Sequence, residues 1–82
     1  VNLIVLTPEK KIYQGEIKAV KVPGTSGQFE ILNGHAAIVS SLTKGPIRIT
    51  KVDGGQESYN ITGGFVEVLK NEVSLLVTLS AE

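Results

Sequence analysis

His35 is the one histidine of this 82-residue chain, set between Gly34 and Ala36. A single imidazole, with no carboxylate pair at ligand spacing beside it, lacks the partners for a metal centre or for general acid–base work. The ordinary role of such a residue is a ring that packs and hydrogen-bonds at a tight turn. Ser26, in Gly24-Thr25-Ser26-Gly27, lacks the fifth position of a nucleophile elbow, and so short a chain cannot build the α/β scaffold that motif needs. Gly24, Gly27 and Gly34 do not follow phosphate-loop spacing, and no Gly-Lys-Ser/Thr sequence occurs; their use is positive φ at loop corners. Asn60-Ile61-Thr62 matches a glycosylation acceptor but falls inside a strand pattern, with no secretory segment ahead of it. With no cysteine there is neither a disulfide framework nor a thiolate site. No catalytic, metal-ligating or cofactor-holding set emerges, so the chain is read as a non-enzyme without a cofactor.

The same residues concentrate elsewhere than in a catalytic pattern. Val22 to Ile38 holds the histidine together with Pro23, three of the nine glycines and Phe29, one of the two phenylalanines. The rest is aliphatic strand and turn. Asn2 to Leu6 is a β-branched run too short for a helix, closed by Thr7-Pro8, because proline lacks the N–H a central strand must donate. Glu9-Lys10-Lys11 is a solvated charge run over a turn. Ile12-Tyr13 reads as a brief strand and Gln14-Gly15 as a turn. From Glu16 to Val22 the apolar parity switches, Ile17 and Ala19 lying on one and Val20 and Val22 on the other. Since side chains alternate with period two, the switch predicts a β-bulge.

Ile38 to Leu42 is a short strand, and Lys44-Gly45-Pro46 a breaker. Asp53-Gly54 between two alternating runs is a strong hairpin cue, since the tight turn needs φ > 0; its arms are Ile47 to Val52 and Glu57 to Thr62, the latter with Tyr59 and Ile61 inward. Gly63-Gly64 reads as a break before Phe65 to Leu69. The last strand, Val73 to Leu79, presents Val73, Leu75, Val77 and Leu79 on one face and Leu76 on the other. Nowhere do apolar residues recur with a helical period over three turns. The expectation is an all-β fold with no sizeable helix, a β-sandwich or barrel of many short strands.

A chain of this length closes one core, so residues 1–82 are a single domain. Folding at this size buries only roughly 60% of the unfolded surface, and a partner surface would add to a modest core. Eight basic residues balance eight acidic ones and 5% of residues are aromatic, leaving neither a field for phosphates nor a stacking platform for bases; nucleic acid is not a partner. No apolar run reaches the ~20 residues of a membrane span, so direct membrane insertion is not expected. What remains is surface: small polar loop residues Thr25, Ser26, Gln28 and Asn33 suit a wet contact. Phe29 shares the parity of Ile31, which favours the core over an interface.

Four ordered blocks carry a resemblance that covers essentially the whole chain. They are T-P-E-K-K-I-Y-Q-G-E-I after the opening strand, V-P-G-T-S-G-Q-F-E-I-L-N-G-H-A-A-I, K-G-P-I-R-I, and G-G-F-V-E-V followed by N-E-V-S-L-L-V. Together they resemble the N-terminal β-sandwich domain of the epsilon subunit of F-type ATP synthases, called delta in mitochondria. The resemblance implies a flattened β-sandwich of about ten short, mostly antiparallel strands, and a non-catalytic central-stalk rotor subunit that links the gamma subunit to the membrane c-ring, so that ion-driven rotation is coupled to ATP synthesis. It implies a peripheral position on the cytoplasmic face of the bacterial inner membrane or the equivalent organelle compartment. Carried over by position, Ser26, Gly27 and Gln28 resemble the loop that meets the c-ring. Thr7, Gly34, His35, Ala36 and Ser40 resemble the face that meets gamma.

The chain departs from the family pattern in three places. Asn33 and Ala37 stand where proline is usual, so the loop between them is expected to be less rigid. Gln28 stands at a commonly acidic position, which leaves a neutral hydrogen bond in place of an ion pair. The 82 residues end at Glu82, where the family's C-terminal helical hairpin, which binds ATP or inhibits the head, would begin, so a single domain without the hairpin is the expectation. The competing class is a small carrier domain of the lipoyl or biotinyl kind, whose modified lysine would be Lys70; its neighbours Leu69 and Asn71 do not match that motif.

Overall fold

The computed structural model describes residues 1–80. Seven strands form it: β1 (Asn2–Leu6), β2 (Lys11–Gly24), β3 (Gly27–Leu32), β4 (Ile38–Leu42), β5 (Gly45–Lys51), β6 (Gln56–Leu69) and β7 (Glu72–Leu79). There is no helix among the described residues. The all-β reading stands with seven strands in place of about ten, and two of the differences have a definite reason. Two glycine positions read as breaks are crossed by continuous strands. Gly15 lies inside the 14-residue β2, and Gly63-Gly64 inside the 14-residue β6. Glycine removes side-chain packing from a strand without removing a ladder donor, so it bends a strand more readily than it ends one.

Those two long strands make the sandwich. The first part of β2 pairs with β1 and the later part with β5 and β3, while β6 pairs first with β5 and then with β4 and β7. Because β1 also pairs with β7, in parallel, the strands β1, β2, β5, β6 and β7 close a circuit. Each long strand passes from one layer to the other at an irregularity. In β2 the register slips between Ile17 and Ala19, the bulge that the parity switch predicts. In β6 it slips between Ile61 and Gly63. At the following residue, Gly64 has φ +148°, and a Cβ there would lie 2.2 Å from the Leu76 carbonyl oxygen. Only glycine fits that crossing.

The core between the layers is aliphatic: Leu3, Val5, Val20, Val22, Ile31, Ile47, Ile49, Ile61, Val66 and Leu75 are among its fully enclosed members. β-Branched residues dominate because they pack well on a pleated surface at little rotamer cost. Phe29, Ile38, Tyr13 and Tyr59 are half-buried and pack against this cluster. Leu79 departs from its expected inward place and is 38% exposed at the end of β7. The Asp53-Gly54 hairpin forms as expected, with Gly54 at φ +93° and its N–H donating to the Lys51 carbonyl at 2.9 Å. A second tight hairpin, joining β6 to β7, places both Lys70 and Asn71 at positive φ.

Candidate functional site: an apolar sheet face and an edge cleft

Alternation along β6 and β7 sends Val66, Val68, Val73, Leu75 and Val77 inward and leaves Phe65, Leu69 and Leu76 outward. On the outer face of the β4-β6-β7-β1 layer these fall into register. Ser41 lies opposite Phe65, Phe65 opposite Leu76, and Leu76 opposite Leu6. Phe65 and Leu69 are each 55% exposed, Leu76 49%, and Val39, one row away on β4, 72%. Single exposed apolar residues are ordinary, whereas apolar residues in register on three neighbouring strands, closed at one end by half-buried Leu6, mark an interaction surface. The sequence signal for it was the outward parity of Leu76, which extends to Phe65 once the two strands are paired.

The β2–β3 hairpin and β4 enclose the second feature. A cleft of about 510 Å³ is lined by Gly24, Ser26, Gly27, Gln28 and Phe29 on one side and Ile38, Val39 and Ser40 on the other. Ser26, Gly27 and Gln28 therefore share one cleft with Ser40, although the sequence assigns them to different contacts. The Phe29 ring lies against Gly24, where a Cβ would sit 2.8 Å from its Cε1. This close approach explains a glycine that follows proline inside a strand. Phe29 thus serves the core and the cleft floor together.

The Gly34–Ala36 loop crosses from the β3 edge to the β4 edge at the far end of that cleft. His35 is half-buried, its Nδ1 lies 2.7 Å from the Ala36 carbonyl oxygen, and its ring centroid stands 6.4 Å from that of Phe29. Its N–H donates to the Leu32 carbonyl at 3.1 Å. The ring packs at a turn, as the sequence suggests. Gly34 has φ +83°, a Cβ there would meet nothing within 4 Å, and its N–H donates to the Asn71 side chain.

Thr7 stands apart from the rest of its set. Its hydroxyl donates to the Lys10 carbonyl at 3.0 Å and accepts from the Lys10 N–H, closing the β1–β2 turn. It follows Leu6, at the end of the layer shared with Ser41, while the Gly34 loop is tied to Asn71 at the other end. Between them lies the exposed apolar row. On the opposite layer, Lys51 Nζ pairs with Glu57 Oε2 at 2.7 Å and the Tyr59 hydroxyl donates to Glu57 Oε1 at 2.9 Å. Lys51 first, and Tyr59 second, hold the Glu57 carboxyl below the usual carboxylate range. No group of three or more potential metal ligands is found among the described residues, and no polar side chain is buried there.

A small β-sandwich whose distinguishing features are an exposed apolar sheet face and a cleft between two strand edges is an interaction domain. The chain belongs to the family described as ATP synthase, Delta/Epsilon chain, beta-sandwich domain, which matches residues 1–81. An ATP synthase epsilon chain of Chlorobaculum tepidum is 39% identical over 75 residues, covering 92% of this chain and 85% of the relative. One of Campylobacter jejuni is 43% identical over 76 residues, covering 93% and 59%. The chain thus spans most of the first relative and under two thirds of the second. Among solved structures, a chain of the Euglena gracilis mitochondrial ATP synthase assembly of OSCP, F1 and c-ring superposes with a TM-score of 0.86 at 25% identity, covering 92% of this chain and 48% of its own. A chain of the Tetrahymena thermophila mitochondrial ATP synthase central stalk and c-ring shares the fold, with a TM-score of 0.77 at 23% identity over 94% of this chain and 62% of its own.

Proposed function

We propose that this chain is the non-catalytic central-stalk subunit that couples the gamma subunit to the c-ring of a rotary F-type ATP synthase. The observation that carries the reading is the apolar row Phe65–Leu76–Leu6 on the outer face, set between Thr7 at one end and the Gly34–Ala36 loop at the other. An exposed row of that width on so small a domain costs solubility unless a partner covers it. On this reading gamma covers this face, with Thr7, Gly34, His35 and Ala36 around it and Ser40 at the neighbouring cleft, on the inner parity of β4. The tip residues Ser26, Gly27 and Gln28 meet the c-ring through neutral hydrogen bonds. A closed circuit of strands with an all-aliphatic core resists shear, which suits a part that passes torque between two others.

The complex sits at the membrane as a peripheral component. No helix among the described residues is long and apolar enough to cross a bilayer, and the position proposed is the cytoplasmic face of the bacterial inner membrane or its organelle equivalent. Co-purification tests the reading. Phe65→Glu should release gamma while leaving the fold intact by circular dichroism, and Ser26→Glu with Gln28→Lys should weaken c-ring association alone. Retention of gamma by a folded Phe65→Glu chain would overturn the face assignment.

A further inference from the structure

Glu67 stands in an unusual place for a carboxylate. Alternation along β6 puts it on the outer face between Phe65 and Leu69, and strand pairing puts Val39 of β4 on one flank and Ser74 of β7 on the other. Three of these four neighbours are apolar and exposed. Between β4 and β6 the surface dips into a recess of about 280 Å³, lined by Ala37, Ile38, Val39, Glu67, Val68 and Leu69. Its walls are aliphatic, and Glu67 is the one charged residue among them. Among the described residues Glu67 makes no ion pair or hydrogen bond. Lys11, at the far margin of the face, donates instead to Gln14 on its own strand, and Lys70, in the turn after Leu69, has no ion pair among the described residues. In water this arrangement is harmless. A partner that covers Phe65, Leu69 and Val39 strips Glu67 of water as well, and an unpaired carboxylate inside an apolar contact opposes the association that its neighbours drive.

We propose that this recess receives a lysine or arginine side chain of the gamma subunit, its alkyl stem along Val39 and Leu69 and its cationic head on the Glu67 carboxylate. Long basic side chains divide in just this way, apolar along the stem and charged at the tip. A neutral donor would leave the charge uncompensated, and a divalent cation needs several oxygen ligands where the recess offers one carboxylate. The ion pair also supplies what the apolar row lacks. Hydrophobic contact has no direction, so the row alone lets gamma slide along the face, whereas a covered, hydrogen-bonded ion pair fixes one register. This inference rests on the proposed gamma contact and adds the residue that orients it.

Calorimetric titration of gamma against the unaltered chain, Glu67→Gln, Glu67→Lys and Glu30→Gln tests it, with circular dichroism to show that each variant is folded. Glu30 lies on the other layer, in register with Lys21, and controls for the loss of one negative charge. Glu67→Gln keeps the shape of the side chain and should weaken binding roughly tenfold or more, Glu67→Lys should weaken it further, and Glu30→Gln should leave it unchanged. The sign of the Glu67→Gln change is decisive. With no gamma cation in the recess, Glu67→Gln removes a carboxylate that resists burial, and binding stays equal or tightens; that result overturns the ion pair and, where Phe65→Glu still releases gamma, leaves the gamma contact standing. An equal loss in Glu30→Gln assigns the effect to net charge and overturns the ion pair. Reversal of single gamma lysines and arginines to glutamate identifies the partner: one reversal should restore binding to Glu67→Lys, and failure of every reversal overturns the proposal. Should Glu67→Lys fail to fold, the Glu67→Gln titration decides. Absence of any complex between gamma and the unaltered chain overturns both readings.

Discussion

The main-chain N–H of Gly34 donates to the side-chain oxygen of Asn71 at 2.8 Å, across 37 residues of sequence. Asn71 also accepts the Asn2 N–H on its own carbonyl at 2.9 Å, and holds φ +63°. One residue in a hairpin turn therefore ties the Gly34–Ala36 loop to the start of β1. The bond restrains a loop in which neither Asn33 nor Ala37 fixes its own φ as proline would. Asn71→Ala should cost about 1–2 kcal/mol, combining one hydrogen bond with the strain of alanine at positive φ. Asn71→Gly keeps the backbone and should cost less. Urea denaturation of both variants, with exchange of the Gly34 amide, separates the two contributions.

Gly64 and Gly27 offer a contrast in what glycine does. Both have positive φ, but a Cβ at Gly64 meets the Leu76 carbonyl oxygen and the Val77 backbone, while a Cβ at Gly27 meets nothing within 4 Å. Gly27→Ala should therefore cost only conformational strain, about 1–2 kcal/mol. Gly64→Ala adds a clash with a paired strand and should cost more than about 3 kcal/mol, enough to unfold a marginal domain. Chemical denaturation orders the two; an equal loss would mean that β6 and β7 separate freely at this crossing.

How much of this was legible in the sequence follows from what each signal encodes. Alternation placed Ile61 inward on β6 and Val73, Leu75 and Val77 inward on β7, and the parity switch at Ile17–Ala19 located the bulge, because both are local consequences of a two-residue period. The Asp53-Gly54 hairpin was legible for the same reason. Glycine was ambiguous: Gly15 and Gly63-Gly64 read as ends and proved to be positions inside long strands, since only pairing with β1 and β7 decides whether a ladder continues. The site was legible in part. Parity already sent Leu76 outward, but its place beside Phe65 and Leu6 depends on strand order, and strand order on the parallel β1–β7 pairing that no local pattern announces. The distance of Thr7 from the Gly34 loop was invisible for that reason too.

The Lys51–Glu57–Tyr59 group predicts an acid limb and an alkaline limb. Lys51 and Tyr59 lower the Glu57 pKa, so its contribution is present above the unfolded value of 4.5 and is lost as pH falls through the folded one. Glu57, by hydrogen bond and then by charge, raises the Lys51 pKa above 10.5, and burial followed by Glu57 raises that of Tyr59 above 10.0. Both contributions are present at neutral pH and fade as pH climbs through those folded values. Glu57→Gln should flatten the fall in stability below pH 4.5 and advance none of it to neutral pH, as followed by thermal unfolding across pH. The pair is solvent-exposed, so high salt should shrink the difference.

Leu75 and Leu76 are adjacent leucines with opposite duties, and the pair gives the sharpest test of the face assignment. Leu75 is fully enclosed opposite Val66, while Leu76 is about half exposed between Phe65 and Leu6. Leu75→Ala leaves a cavity that a closed circuit of strands cannot collapse around, and should cost about 2–5 kcal/mol. Leu76→Thr places a β-branched residue suited to a strand on the outer pleat and should change stability by less than about 1 kcal/mol. The order reverses for assembly. Where folded protein remains, Leu75→Ala should bind gamma with unchanged affinity, whereas Leu76→Thr, with an intact fold, should bind roughly tenfold more weakly because an apolar contact at the centre of the row is lost. Calorimetric titration against gamma, paired with denaturation of each variant, measures both orders. Equal gamma affinity for Leu76→Thr and the unaltered chain would move the contact off this face and leave the apolar row without a partner.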